Sequence, residues 1–270
     1  MCSRLTHSSR VGRQLGSISV WAGGQQSWDL RAFALSRVDC QQAMVSSFWM
    51  ATNHGYLSCS LGPGTLLLIP CSGDKKCGHE PGQVGSICSA LDHGLAEQLK
   101  HARAGIRDRA HIDETTLMPG YRRYAGELYT SGSKSIEMAV STGRRVLIVS
   151  GGYGLLAVDE AIGMYDMRFA IRDWPRGLLE SCLLDYARGA SIRSAIAIMG
   201  RTTDYAKLIR KVDWKGAGIT ATIISPVSQG GGAMVKVPRA QGQAVEALIA
   251  GGLAEDWRSS DGLAITFERM

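Results

Sequence analysis

Four short runs of nonpolar residues, each bounded by Gly, Pro or Ser, constrain the fold of this chain more than any other feature. Such a run predicts a β-strand that is buried on both faces, as in a parallel sheet. Amphipathic segments long enough for helices lie between the runs, which is typical of strands joined by helical crossovers. The predicted strands cover residues 65–69, 145–150, 194–199 and 218–224. We therefore predict an α/β fold with a mostly parallel central sheet and helices on both faces.

The helices of this fold are predicted from apolar residues that recur with a period near 3.6. The predicted helices cover residues 89–103, 133–142, 175–188 and 241–250. Pro175 suits a first helical turn, because the amide that proline lacks would be unpaired there in any case. Residues 104–129 have little periodicity and several charges, and a stretch of that length predicts a functional loop or lid.

The first 49 residues differ in composition from the rest of the chain. They are rich in Ser, Gln, Gly and Arg, contain no lysine or glutamate, and have no sustained helical or strand period. We predict a poorly ordered extension over residues 1–49 and an α/β domain over residues 50–270. An over-extended start before Met50 or an organellar targeting segment would both fit this composition.

The net charge of +6 is weaker support for nucleic-acid binding than it first suggests. Five arginines and two aspartates in residues 1–49 account for half of it. The excess that remains is compatible with an anionic ligand but does not by itself favour DNA or RNA.

The cysteines and the apolar runs indicate the compartment. Seven cysteines at irregular spacing favour reduced thiols over a disulfide framework, which predicts a cytoplasmic protein. The apolar runs are far shorter than a bilayer requires, so no membrane association is expected.

One strand-end loop, residues 70–75, is unusual in composition, and we call it the Cys71 loop. The first predicted strand ends at Pro70, which cannot extend the hydrogen-bond ladder, and then presents Cys71 and Ser72. The ammonium groups of Lys75 and Lys76 favour a nucleophilic thiolate at Cys71. The alternative is a small buried cysteine that only ends the strand.

A second strand-end loop, residues 150–154, is rich in glycine, and we call it the glycine loop. Gly151, Gly152 and Gly154 would let backbone amides, beside the Ser150 hydroxyl, approach a ligand closely, and Tyr153 would stack on a flat ring. The alternative is a tight turn around a core tyrosine.

Further ligand-binding candidates follow the glycine loop at Asp159, Tyr165 and Arg168. They supply an acid, a phenol and a cation, although such charges usually lie on a solvated surface. Because parallel strands end at one edge of a sheet, we expect the two loops to face each other across one crevice.

The sequence does not predict a metal site or a bound cofactor. Cys71, Cys77, His79 and Cys88 cluster along the chain, but their spacing fits neither paired CxxC ligands nor an HExxH helix.

Two motifs carry a resemblance to a known family. The first is Y-x-G-x-x-Y at residues 124–129, and the second is S-G-G-Y-G-L-L at residues 150–156, followed by Asp159, Ile162, Tyr165 and Met167. Together they resemble the YaaA-like superfamily over roughly residues 65–170. The resemblance implies an α/β fold, and YaaA itself is associated with peroxide-stress protection and DNA binding.

A related branch, the archaeosine-synthase-type domains, is similar in the Pro-Cys-Ser-x-x-Lys pattern at Pro70, Cys71, Ser72 and Lys75. That branch modifies a 7-cyano-7-deazaguanine base in tRNA. The resemblance implies that Cys71 adds to a nitrile carbon with Lys75 as its charged neighbour, and it adds Tyr129 to the ligand-binding residues.

Two functions remain as hypotheses at this point. One is an enzyme or enzyme-like protein that binds a purine-like base, nucleotide or nucleic acid, with Cys71 as the nucleophile and Lys75 as its activator. The other is a non-catalytic peroxide-stress or DNA-binding protein with redox-sensitive thiols.

Overall fold

A computed structural model describes residues 58–80, 85–228 and 230–270, and all four predicted strands are present in it. The predicted extension and its boundary at residue 50 lie outside the described residues. The strands are β1 (Ser58–Cys59), β2 (Thr65–Pro70), β3 (Asp113–Pro119), β4 (Arg145–Ser150), β5 (Gly154–Ala157), β6 (Ala161–Met164), β7 (Ser194–Ile198), β8 (Thr220–Val227), β9 (Leu253–Ala254) and β10 (Ala264–Arg269).

Helices connect the strands, and all four predicted helices are found with shifted ends. The helices are α1 (His93–Ile106), α2 (Gly120–Arg123), α3 (Glu127–Ser131), α4 (Ser133–Ser141), α5 (Leu178–Gly189), α6 (Asp204–Lys211) and α7 (Ala233–Ala250). Short 3-10 turns cover Ile87–Ala90 and Ile171–Asp173. None of the described helices combines the length and the hydrophobicity of a membrane span.

The main sheet has six strands in the order β10-β8-β7-β2-β4-β5. The four central strands are parallel, whereas β5 and β10 pair antiparallel at the two edges. The α/β class is therefore confirmed, but the sheet is mixed. Only residues 151–153 join β4 to β5, and so short a connection cannot make the crossover that a parallel neighbour requires.

The alternating side chains of β2 show how the sheet is covered. Leu66 and Leu68 belong to the apolar cluster on one face, and Leu67 and Ile69 belong to the cluster on the other. Helices α1, α5 and α6 contribute to the first cluster, and α3, α4 and α7 contribute to the second. Helices therefore lie on both faces, as predicted, and the central strands are buried on both sides.

The prediction of a functional loop or lid over residues 104–129 is wrong. This stretch contains the end of α1, then β3, α2 and the start of α3. Strand β3 pairs with β6 in a two-stranded ribbon and is exposed over its first half, which explains its weak hydrophobic period. The fully buried Arg123 donates to the carbonyl oxygens of Lys76 at 2.6 Å and Thr116 at 2.8 Å. The stretch is therefore an internally bonded part of the domain.

Candidate functional site

The strand order reverses at β2, and this places the Cys71 loop at a special point of the sheet. The chain passes from β2 to β4 on one side and then to β7 on the other side of β2. Helix α4, before β4, and helix α5, before β7, pack on opposite faces. In open α/β sheets, ligands bind at the carboxyl edge where the order reverses. That point is the gap between the ends of β2 and β7.

Cys71 is partly exposed at this point and faces the Tyr205 phenol of helix α6, which connects β7 to β8. Its amide donates to the carbonyl of Val149 at 2.9 Å, and its Sγ lies 3.1 Å from the hydroxyl oxygen of Tyr205 in α6. The Tyr205 ring stacks on Phe169, with centroids 5.1 Å apart. Burial raises the pKa of Tyr205, and so does the negative charge of Cys71. The phenol therefore stays protonated and is able to donate a hydrogen bond to a thiolate at Cys71.

Lys75 is held in the site by the Cys71 loop itself. Its Nζ donates to the carbonyl oxygens of Ser72 at 3.3 Å and Gly73 at 3.1 Å, and lies 3.8 Å from the centre of the Tyr165 ring. Burial lowers the pKa of Lys75, and the negative charges of Cys71, Asp166 and Asp74 oppose that shift. A cation is thus fixed within the electrostatic reach of the thiol.

Three buried hydroxyl groups, those of Tyr124, Ser150 and Tyr165, form what we call the hydroxyl cluster. The Tyr124 hydroxyl is 2.8 Å from that of Tyr165 and 3.2 Å from Ser150 Oγ, and Ser150 and Tyr165 are 3.0 Å apart. Burial raises the pKa of both phenols, so all three groups stay neutral. The cluster joins the end of β4 to the ring on which Lys75 rests.

The Y-x-G-x-x-Y motif supports the Cys71 loop. Its first tyrosine belongs to the hydroxyl cluster, and its last, Tyr129, donates to the carbonyl of Pro70 at 2.9 Å. Burial raises the pKa of Tyr129. A Cβ on Gly126 would collide with Ser72 Oγ, which itself accepts from the amide of Asp74 at 3.2 Å. The motif fixes the conformation of the loop that carries Cys71.

The glycine loop is closely packed against other parts of the chain, so the expectation that its glycines leave room for a ligand is wrong. A Cβ on Gly151 would collide with the carbonyl oxygen of Met167, and a Cβ on Gly152 would lie 2.8 Å from the Tyr165 ring. Gly154 has a φ of +70°, and a Cβ there would lie 2.9 Å from the Trp174 ring. The space is filled by the protein's own atoms.

Tyr153 occupies the core instead of offering a stacking surface. It is 5% exposed, and its hydroxyl donates to Glu114 at 3.2 Å while accepting from the amide of Gly163 at 3.0 Å. Burial is the main cause that raises the pKa of Tyr153. The alternative of a tight turn around a core tyrosine is therefore the one that the structure favours.

The downstream candidates divide between the site and other surfaces. Tyr165 is in the site, whereas the Asp159 carboxylate lies beside Gly85. Arg168 is exposed one residue before Phe169, and in the described ranges its side chain takes part in no hydrogen bond or salt bridge. The structure thus unites Pro70, Cys71, Ser72, Lys75, Tyr129, Ser150 and Tyr165 around the Cys71 loop.

Glu160, the residue after Asp159, is a buried carboxylate. It accepts from the guanidinium of Arg103 at 2.7 Å and from the amide of Ile87 at 2.9 Å. Arg103 also donates to the carbonyl of Tyr153 at 2.9 Å. The pair fixes the turn between β4 and β5, and a buried pair that is fully hydrogen-bonded in this way serves structure.

Sequence reasoning missed Tyr205 and Phe169. The signal for Tyr205 is present, because residues 200–203 follow a predicted strand and Thr203 caps an amphipathic segment. Strand order, however, cannot be deduced from local pattern, so nothing placed α6 next to Cys71.

Comparison with family models and with curated proteins gives no direct indication of function. No family model matches the chain, and no curated protein matches it significantly. Within the parts of the chain that the structure describes, no group of three His, Cys, Asp or Glu side chains is arranged to hold a metal ion. The geometry around Cys71 is therefore the main indication of function.

Proposed function

We propose that this chain is a YaaA-like protein and that it binds a purine-like base, free or within a nucleotide or nucleic acid, between the ends of β2 and β7. Cys71 is the nucleophile that attacks it. The observation that carries the proposal is the position of the Cys71 thiol, partly exposed where the strand order reverses and 3.1 Å from the Tyr205 hydroxyl. A resemblance to YaaA-like sequences supports the choice of ligand.

The surroundings of Cys71 suit addition to a polarised carbon such as a nitrile. The sulfur forms a bond to the carbon, one C–N π bond breaks, and the thiol proton finally resides on the nitrogen, so no oxidant or reductant is required. Lys75 stabilises negative charge during this step, and the Tyr205 phenol holds the thiolate before it. Tyr205, and not Tyr153, supplies the aromatic side chain beside the thiol.

A binding and turnover screen with deazapurine nucleobases, nucleosides and modified oligonucleotides tests the proposal. We expect a covalent adduct of a cyano-substituted base on Cys71 by mass spectrometry. Cys71→Ala abolishes the adduct, while the matched control Cys77→Ala, on the exposed stretch that follows the loop, retains it. Equal binding by both variants without adduct or turnover would instead favour the non-catalytic, redox-sensitive alternative.

Alkylation of the folded protein with iodoacetamide tests the nucleophile separately from the ligand. We expect Cys71 to be the most reactive thiol. Cys88 and Cys182 are buried, and burial raises the pKa of Cys59 and raises that of Cys182 to about 12. If peptide mapping shows another cysteine, such as Cys59, Cys88, Cys182 or the exposed Cys77, reacting faster than Cys71, the assignment of the nucleophile is wrong.

A further inference from the structure

A cavity of about 240 Å³ lies outside the Cys71 site, where the 3-10 turn Ile171–Asp173 meets the start of α5 and the end of α6. Its lining is basic. Among the residues that line it are Arg172, Trp174, Arg176, Gly177, Glu180 and Lys211.

The charges around the cavity favour an anion. Arg172, Arg176 and Lys211 are exposed and contribute three cations, against the single carboxylate of Glu180. None of the three cations forms a salt bridge with an acidic side chain in the described ranges. Their positive potential is therefore available to a ligand.

The start of α5 adds backbone donors to these cations. The residue before the helix is Gly177, at a φ of +80°, and it has no side chain with which to cap the helix. Among the described residues, the amides of Leu179 and Glu180 find no acceptor, although Leu178 and Ser181 do. Free amides at a helix N-terminus, with the positive end of the helix dipole, bind phosphate in many proteins.

Trp174 provides an independent sign of a missing partner. It is only 4% exposed, and its Nε1–H is buried without a hydrogen-bond partner in the described chain. Trp174 lines the cavity, and the atoms of its indole that lie against Gly154 belong to the benzene ring and not to the pyrrole ring that carries Nε1. Because a buried donor without an acceptor is costly, an acceptor oxygen at this cavity would relieve it.

We propose that this cavity binds the phosphate group of a small phosphorylated metabolite. A phosphate offers several acceptor oxygens and a double negative charge, which match the cations, the free amides and the indole N–H. A carboxylate offers fewer acceptors and a single charge. The site is independent of the reaction at Cys71.

Nuclear magnetic resonance of the uniformly ¹⁵N-labelled full chain tests the site with inorganic phosphate as the probe, at constant ionic strength set with chloride. The chain has six tryptophans, and the indole resonance that disappears in Trp174→Phe identifies the relevant one. We expect a saturable shift of that resonance. Arg176→Gln and Lys211→Gln should each weaken binding several-fold, while Arg188→Gln, in the last turn of α5, should leave it unchanged.

Acetate, titrated under the same conditions, separates phosphate recognition from general anion binding. We expect acetate to bind several-fold more weakly than phosphate. Equal affinity for the two anions would overturn the phosphate assignment. The absence of a saturable Trp174 shift, or equal effects of Arg176→Gln and Arg188→Gln, would overturn the site itself.

Discussion

The Cys71 loop and the glycine loop leave the same edge of neighbouring parallel strands, yet they differ in packing. All five residues of the glycine loop are buried, whereas Cys71, Ser72 and Lys75 are partly exposed. A Cβ on Gly73 would meet no atom within 4 Å, but one on Gly151 would collide with a backbone carbonyl. The comparison teaches that glycines at a strand end indicate a ligand site only where the space beside them is empty.

The cause of the difference is what covers each loop. After β6 the chain returns, and residues 165–168 pack directly on the glycine loop. Tyr124 forms a β-bridge with Lys75 and Tyr129 donates to Pro70, so both support the Cys71 loop, and the Cys71 thiol lies 3.1 Å from the Tyr205 hydroxyl. The glycine loop is therefore part of the core, whereas the Cys71 loop is accessible to a ligand.

The largest expected difference in stability between the two loops is the one produced by adding a methyl group to each. Gly151→Ala should lower the free energy of unfolding by about 3 kcal/mol or more, because the obstacle is backbone that cannot move aside easily. The matched change Gly73→Ala should alter it by less than ~0.5 kcal/mol, since it enters open space. Chemical denaturation measures both. Similar losses in the two variants would remove the distinction between the loops.

The next effect distinguishes side chains that stabilise the site from side chains that act on the Cys71 thiol. Tyr165→Phe keeps the ring under Lys75 but removes two hydrogen bonds of the hydroxyl cluster, which should cost about 1–3 kcal/mol of stability. The alkylation rate of Cys71 should change little. A loss of alkylation without a loss of stability would mean that the hydroxyl cluster acts on the thiol directly.

A smaller effect is expected from alkaline pH. Burial raises the pKa of Cys182 from an ordinary value near 9 to about 12, so between those values the folded state holds more protons than the unfolded state. Stability should therefore fall as pH rises through this range. Denaturation midpoints at about pH 8 and about pH 10.5 measure the slope. Cys182→Ala should reduce it and Cys77→Ala should not, whereas an unchanged slope in both would contradict this explanation.

The smallest effect on stability is expected at Tyr205, beside the Cys71 loop. Tyr205→Phe retains the stacking on Phe169 and removes the hydroxyl beside Cys71, so stability should change by less than ~1 kcal/mol. The iodoacetamide rate of Cys71 at neutral pH should fall several-fold, because a charge-assisted hydrogen bond to the thiolate is lost. Tyr186→Phe, at a core tyrosine of α5, is the control. An unchanged rate would show that Tyr205 does not hold the thiolate.

Much of the candidate site was predictable because strand ends are visible in a sequence. Pro70 and Ser150 each end a strand that is nonpolar on both faces, which is typical of a parallel sheet. Cys71 and the glycine loop therefore had to emerge at the same edge of the sheet. Tyr165 was chosen as a phenol downstream of the glycine loop and Tyr129 through a resemblance, and both are in contact with the site. The role of Tyr153 was not predictable, because a tyrosine that stacks on a ligand and one that fills a core have the same local sequence.

The sequence by itself determined that this is an α/β domain, which strands are central, and that a thiol and an ammonium group stand together at a strand end. These follow from local apolar runs and from short spacing along the chain. Only the tertiary structure decided that β7 lies beside β2, that Tyr205 faces Cys71, and that the glycine loop is closed. The physical reason is that burying both faces of a strand is equally favourable in several strand orders, and the packing of the crossovers selects one of them.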